Sequence, residues 1–136
     1  MAHKFVLDTH ALVWYLEGNK RLSRKARNTM EALENELVLP ILAPAEAVLM
    51  IERGRSSISS VSEFMGDVYA ESRIEIYPLT LEIFQRSLNR DASKIPELHD
   101  RLIVSTGLYL RDTDHTVSIL TADTAITDAD VIQIHW

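Results

Sequence analysis

Short apolar, β-branched runs alternate with helix-compatible segments along the whole chain, and this alternation constrains the fold more than any other feature. Residues 4–7 form a strand pattern that ends at Asp8, and residues 11–16 continue as a helix up to Gly18. Ser23 is an N-cap for a second helix over 24–35, and residues 36–39 form a brief strand stopped by Pro40. A helix over 43–53 carries Pro44 in its first turn and Gly54 at its stop. Five serines between Ser56 and Ser62 lead into a helix over 61–71 without linker composition. Residues 73–77 alternate apolar and polar before Pro78, Thr80 caps a helix to about Asn89, and 91–97 is a loop. Residues 98–110 are apolar on nearly every side, which predicts a helix buried at the centre. Strands over 116–120 and 131–135 close the chain. Strands separated by helices imply parallel crossovers, hence an α/β sandwich with helices on both faces of a mainly parallel sheet.

With 136 residues the chain is expected to be one domain, 1–136, since two cores would each be too small. At 46% hydrophobic and 25% charged it has ample material for a core. It has no cysteine, which removes disulfides, thiolate metal sites and cysteine nucleophiles together and fits a reducing cytoplasm. The apolar start reaches Asp8 too soon for a signal peptide, and no run approaches the ~18 apolar residues of a membrane span, so a soluble, cytoplasmic chain is expected. The net charge of −6 argues against a broad nucleic-acid footprint, although acids gathered around cations can still receive phosphate.

In open parallel sheets ligands bind beyond the carboxyl ends of the strands, and Asp8 and Asp123 both follow such ends. Alone, each is explained as a helix cap; their expected convergence is what gives them weight. Glu46 and Asp100 fall in helices, where an acid in the first turn favours the helix dipole. Yet Glu46 is flanked by Ala45, Ala47, Val48, Leu49 and Met50, and Asp100 opens the most apolar helix, so unpaired charge there is costly. Together the four carboxylates would repel one another unless a cation neutralised them. An all-oxygen set favours Mg2+ or Mn2+ over zinc, and such ions serve phosphodiester cleavage.

Of the five histidines, His3, His10, His99, His115 and His135, none is spaced as a metal box; His10 and His99 matter because they flank Asp8 and Asp100. Trp14 and Tyr15 fit core or interface positions. The four glycines, at 18, 54, 66 and 107, form no phosphate loop, which excludes P-loop and dinucleotide enzymes.

The segments VLDTHALVWYL at 6–16, PAEAVLMIERGR at 44–55, LHDRLIVSTG at 98–107 and LTAD at 120–123 together resemble the PIN domain family, specifically its VapC-type toxins. The resemblance implies a three-layer α/β/α sandwich and a metal-dependent endoribonuclease with Asp8, Glu46, Asp100 and Asp123 as metal and catalytic acids. Thr121 matches the hydroxyl beside the last acid, with Thr9 in a lesser part. It further implies an RNA substrate, single-stranded or structured, a homodimer, and inhibition by a small VapB-like antitoxin whose tail enters the acidic groove. Candidate RNA contacts are Lys20, Arg21, Arg24, Lys25 and Arg27, with Arg53, Arg55 and Arg101 nearer the acids. Departures from the family pattern are Ala43, Pro44 and Ala45 before Glu46, and Ser105 and Gly107 in place of alanines after Asp100.

Other classes fit less well. A dehalogenase-like phosphatase needs a second aspartate where His10 stands, and a receiver domain needs a late lysine, whereas none follows Lys94. A PIN-fold interaction module with little nuclease activity is the remaining alternative, and the intact acidic quartet weighs against it.

Overall fold

A computed structural model describes residues 3–136. The elements run β1 (Lys4–Leu7), α1 (Thr9–Glu17), α2 (Arg24–Glu31), β2 (Glu36–Pro40), α3 (Leu42–Glu52), α4 (Val61–Ala70), β3 (Ile74–Tyr77), α5 (Leu81–Arg86), a 3-10 turn at Ala92–Lys94, α6 (Leu98–Asp112), β4 (Val117–Leu120) and α7 (Thr124–Ala129). The four strands form one parallel sheet in the order β3-β2-β1-β4, and with its helices it makes a three-layer α/β/α fold. Every pairing is parallel, so the expected mainly parallel sheet is wholly so among the described residues.

The strand order places the site. From β1 the chain steps outward to β2 and β3, then returns across the sheet so that β4 lies on the other side of β1. The direction of winding therefore reverses between β1 and β4, where helices leaving the two strands diverge and open a crevice. Leu7 pairs with Leu120 at that edge, so the segments leaving both strands start side by side.

Most elements end where local chemistry dictates. Asp8 caps α1, and Gly18 closes it in a left-handed turn (φ 65°) that a side chain would strain. Ser23, Ser60 and Thr80 cap α2, α4 and α5 through their hydroxyls. Three expectations need correction. The helix capped by Thr80 ends at Arg86 rather than near Asn89, where the chain passes into turns and the Ser87 hydroxyl donates to the Phe84 carbonyl. The second helix ends at Glu31 rather than Asn35: Ala32 turns extended, and the Asn35 amide donates to the Thr29 carbonyl, a local bond that competes with helix continuation. The strand expected over 131–135 is a single parallel bridge, Ile119 to Ile134, because the tail exchanges backbone hydrogen bonds with β4 only through Ile119, whose N–H donates to Gln133 and whose carbonyl accepts from His135.

The core lies between sheet and helices. Val6, Leu7, Leu12, Leu37, Leu39, Ile103, Leu108, Ile119 and Leu120 are all fully buried. Residues 102–108 of α6 are buried without interruption, as its apolar pattern predicted, and this helix packs on β1, β4 and α3. Its one polar misfit is Ser105, whose buried Oγ has no hydrogen-bond partner among the described residues. An unmet buried hydroxyl costs about 1–3 kcal/mol. Ser105→Ala is thus expected to stabilise the fold by about 1 kcal/mol, read as a higher urea midpoint at unchanged slope; a lower midpoint would show the hydroxyl to be satisfied.

Candidate active site

Asp8 begins at the end of β1 and is buried. Its Oδ1 accepts the Ala11 N–H at 2.8 Å, the capping bond, while its Oδ2 accepts the Thr121 hydroxyl. Thr121 follows β4, and its Oγ also accepts the Asp123 backbone N–H at 3.0 Å. One buried hydroxyl thereby ties the first acid to the loop that carries the last. Asp123 in turn caps α7 with Oδ1, accepting from Ala125 and Ile126 at 2.8 and 3.2 Å. Both aspartates are helix caps after all, and capping fixes where their remaining charge points.

Glu46 comes from the second turn of α3 and is half-buried. Its apolar sequence neighbours do not enclose it, since Ala45 and Leu49 are exposed; the charge is held by the Thr9 hydroxyl, which donates to Oε1 at 3.0 Å. Asp100 sits in the first turn of α6. The cap of that helix is Glu97, whose carboxylate accepts the Asp100 N–H at 2.8 Å and pairs with His99 Nδ1 at 2.9 Å. The Asp100 carboxylate itself accepts no hydrogen bond from the described residues.

Asp8, Glu46, Asp100 and Asp123 all line one cavity of about 740 Å³. Burial pushes the Asp8 carboxyl above its ordinary range, against the Thr121 and Ala11 hydrogen bonds. The Asp100 carboxyl is pushed up to about 6, by partial burial first and then by the charges of Asp123, Glu97, Glu46 and Asp8. Repulsion of this kind is what a cation relieves. Among the described residues no three acidic or histidine side chains close directly on one point. The donor set still fits magnesium, which keeps several of its waters and binds through one or two carboxylates rather than a complete protein cage.

The rest of the cavity is a groove between α1 and α3. Thr9, His10, Val13, Trp14 and Glu17 line one wall, and Leu42, Ala45, Glu46, Leu49, Met50 and Arg53 line the other. Arg21, Arg55 and His99 also reach it. Of the basic group at 20–27 only Arg21 lines the cavity, and Arg101 is turned to the Ile95 carbonyl at 2.8 Å. His3 and His135 do not line it, and both rings pack on Phe5 instead. Sequence reasoning underrated Thr9 and missed Glu97 and the cavity position of Trp14. Once α1 is seen to begin at Thr9, residues 9, 10, 13, 14 and 17 fall on one helical face.

The PIN domain family model matches residues 5–132, from β1 to beyond α7. The chain belongs to the PIN domain family. PIN domains are generally nucleases, so a nuclease type of function goes with the fold. In this PIN domain the acids lie at the point where the sheet reverses its winding. No curated protein matches the chain. No helix among the described residues is long and apolar enough to cross a membrane.

Proposed function

We propose that this PIN domain is a Mg2+- or Mn2+-dependent endoribonuclease of the VapC toxin type, held in check by a small antitoxin. The observation that carries this reading is the meeting of Asp8, Glu46, Asp100 and Asp123 on one cavity, with the Asp100 carboxyl raised to about 6 by burial and by its acidic neighbours. Those four acids would hold the ion. When bound, a divalent cation polarises a phosphoryl oxygen and makes water a better nucleophile at neutral pH.

The chain's own residues supply order. Thr121 and the Ala11 N–H engage both oxygens of Asp8, and Thr9 fixes one oxygen of Glu46, so that neither carboxylate must be oriented when substrate arrives. Arg53 and Arg55, farther along the groove, offer positive charge to the RNA backbone in a protein whose net charge is −6. An antitoxin tail would compete for the same groove. Homodimerisation is supported by an exposed apolar ridge, where Leu81, Phe84 and Leu88 are 64%, 46% and 63% accessible and Leu79 and Leu98 lie on the segments before α5 and at the start of α6. The cytoplasm is the compartment that offers such an enzyme its RNA.

A circular RNA tests the proposal, since only internal cleavage can open it. Linear products are expected with Mg2+ or Mn2+ and none after chelation. A circle left intact by the metal-loaded protein would sink the assignment.

A further inference from the structure

The groove is graded along its length. Asp8, Glu46, Glu97, Asp100 and Asp123 gather at one end, Trp14 lies about 9 Å along the α1 axis from Asp8, and Arg53 lies about 10 Å along α3 from Glu46 at the far end, where Glu17 adds a further acid to the lining. Trp14 is only partly buried although it contacts two other rings. His10 meets it at 5.3 Å with a 48° tilt, and Trp136 meets it edge-on at 6.1 Å and 61°. Both contacts brace the indole, yet neither ring stacks parallel to it. A braced, partly exposed indole beside a phosphate-handling site is a platform for another flat ring.

We infer that Trp14 seats a nucleobase adjacent to the cleaved phosphate, with Arg53 and Arg55 taking the phosphate beyond it. The inference rests on the nuclease reading and adds to it a selecting element: an unstacked base, as found in single strands, loops and bulges. A base paired within a duplex stacks on its neighbours and cannot lie on the indole. The arginines favour a polyanion over an apolar peptide as the occupant. Glu17 helps hold the far end in register, since its carboxylate accepts from Ser56 Oγ at 2.8 Å and the Ser57 N–H at 3.0 Å, directly after Arg55.

The chain has two tryptophans, so a W136F background leaves Trp14 as the sole indole reporter. In that background, with D100N to prevent cleavage, a mixed-sequence RNA 10-mer and an abasic strand of equal length are titrated. Quenching of Trp14 emission by the RNA and not by the abasic strand is expected. In the cleaving enzyme, W14L is expected to raise KM about 10- to 100-fold with little change in kcat, and W14F to restore most of the loss. W14F also shows that any defect of W14L lies in the lost ring rather than the fold. RNA bound with unchanged emission, equal quenching by the abasic strand, or a wild-type KM in W14L would overturn the subsite and leave the nuclease reading standing. No RNA cleavage by the wild-type chain would remove both.

Discussion

Replacing Asp100 by asparagine is expected to abolish RNA cleavage and, in the same molecule, to raise the melting temperature of the metal-free protein. The loss follows if Asp100 helps hold the ion on which the chemistry depends, and a fall of at least about 100-fold in kcat/KM is expected. The gain follows from electrostatics. The Asp100 carboxyl is raised to about 6 in the fold, whereas an unfolded aspartate titrates near 3.9. Between about pH 4 and pH 6 the native state therefore holds a proton that the unfolded chain has released, so stability falls as pH rises through that window and is flat above it. Asparagine keeps the shape without the charge, which removes this fall. Because the carboxyl is only half-buried, solvent screening reduces the gain at pH 7.5 to about 1 kcal/mol. Added Mg2+ should raise the wild-type melting temperature more than that of the variant, because a ligand stabilises only the state that binds it. Calorimetry with and without the ion, beside a cleavage assay, reads all three effects. Undiminished cleavage by the variant would refute the assignment of Asp100.

A second large effect is expected far from the acids, at Gly107. This glycine lies within α6 and has no left-handed backbone; its constraint is space. A Cβ there would stand 2.7 Å from Ile132 Cδ1, 3.2 Å from Val6 Cγ2 and 3.5 Å from Val117 Cγ1. Ile132 belongs to the C-terminal tail and presents only the end of its side chain, so Gly107→Ala can be met by a small shift and regains some helix propensity. Gly107→Val presses branched carbons against Val6 and Val117, which lie in the paired strands β1 and β4. Overpacking of this kind costs about 2–3 kcal/mol, or about 10 °C in melting temperature for a domain of this size. Because Val6 shares β1 with the segment leading to Asp8, weaker ion binding should accompany the loss. Thermal unfolding of both variants measures the difference, and equal melting temperatures would show that the helix can move off the sheet freely.

The alternation of strand and helix was legible because it is local. Residues 4–7 carry their apolar strand pattern in four positions, and Asp8, Ser23 and Thr80 announce the helices they cap within three. The positions of Asp8 and Asp123 after parallel strands follow from the same patterns and the rule that binding sites lie beyond strand ends. Gly107 was visible only as a departure from alanine, since nothing in its neighbours names Val6 or Ile132.

The alternation, the caps and the four acids whose charge must be answered are each written in a few neighbouring residues. The assembled sheet alone returns β4 beside β1, which brings Asp8 and Thr121 into contact across 113 positions, and the packing of α1 on α3 lets Thr9 hold Glu46 across 37. The same packing sets Trp14 on the cavity beside the acids with its other contacts against the core. The physical reason is that a cap or a strand is selected by neighbours a few residues away. A pairing across more than a hundred positions is selected by the whole core, whose burial holds β1 and β4 in register and so gives the acids a common cavity.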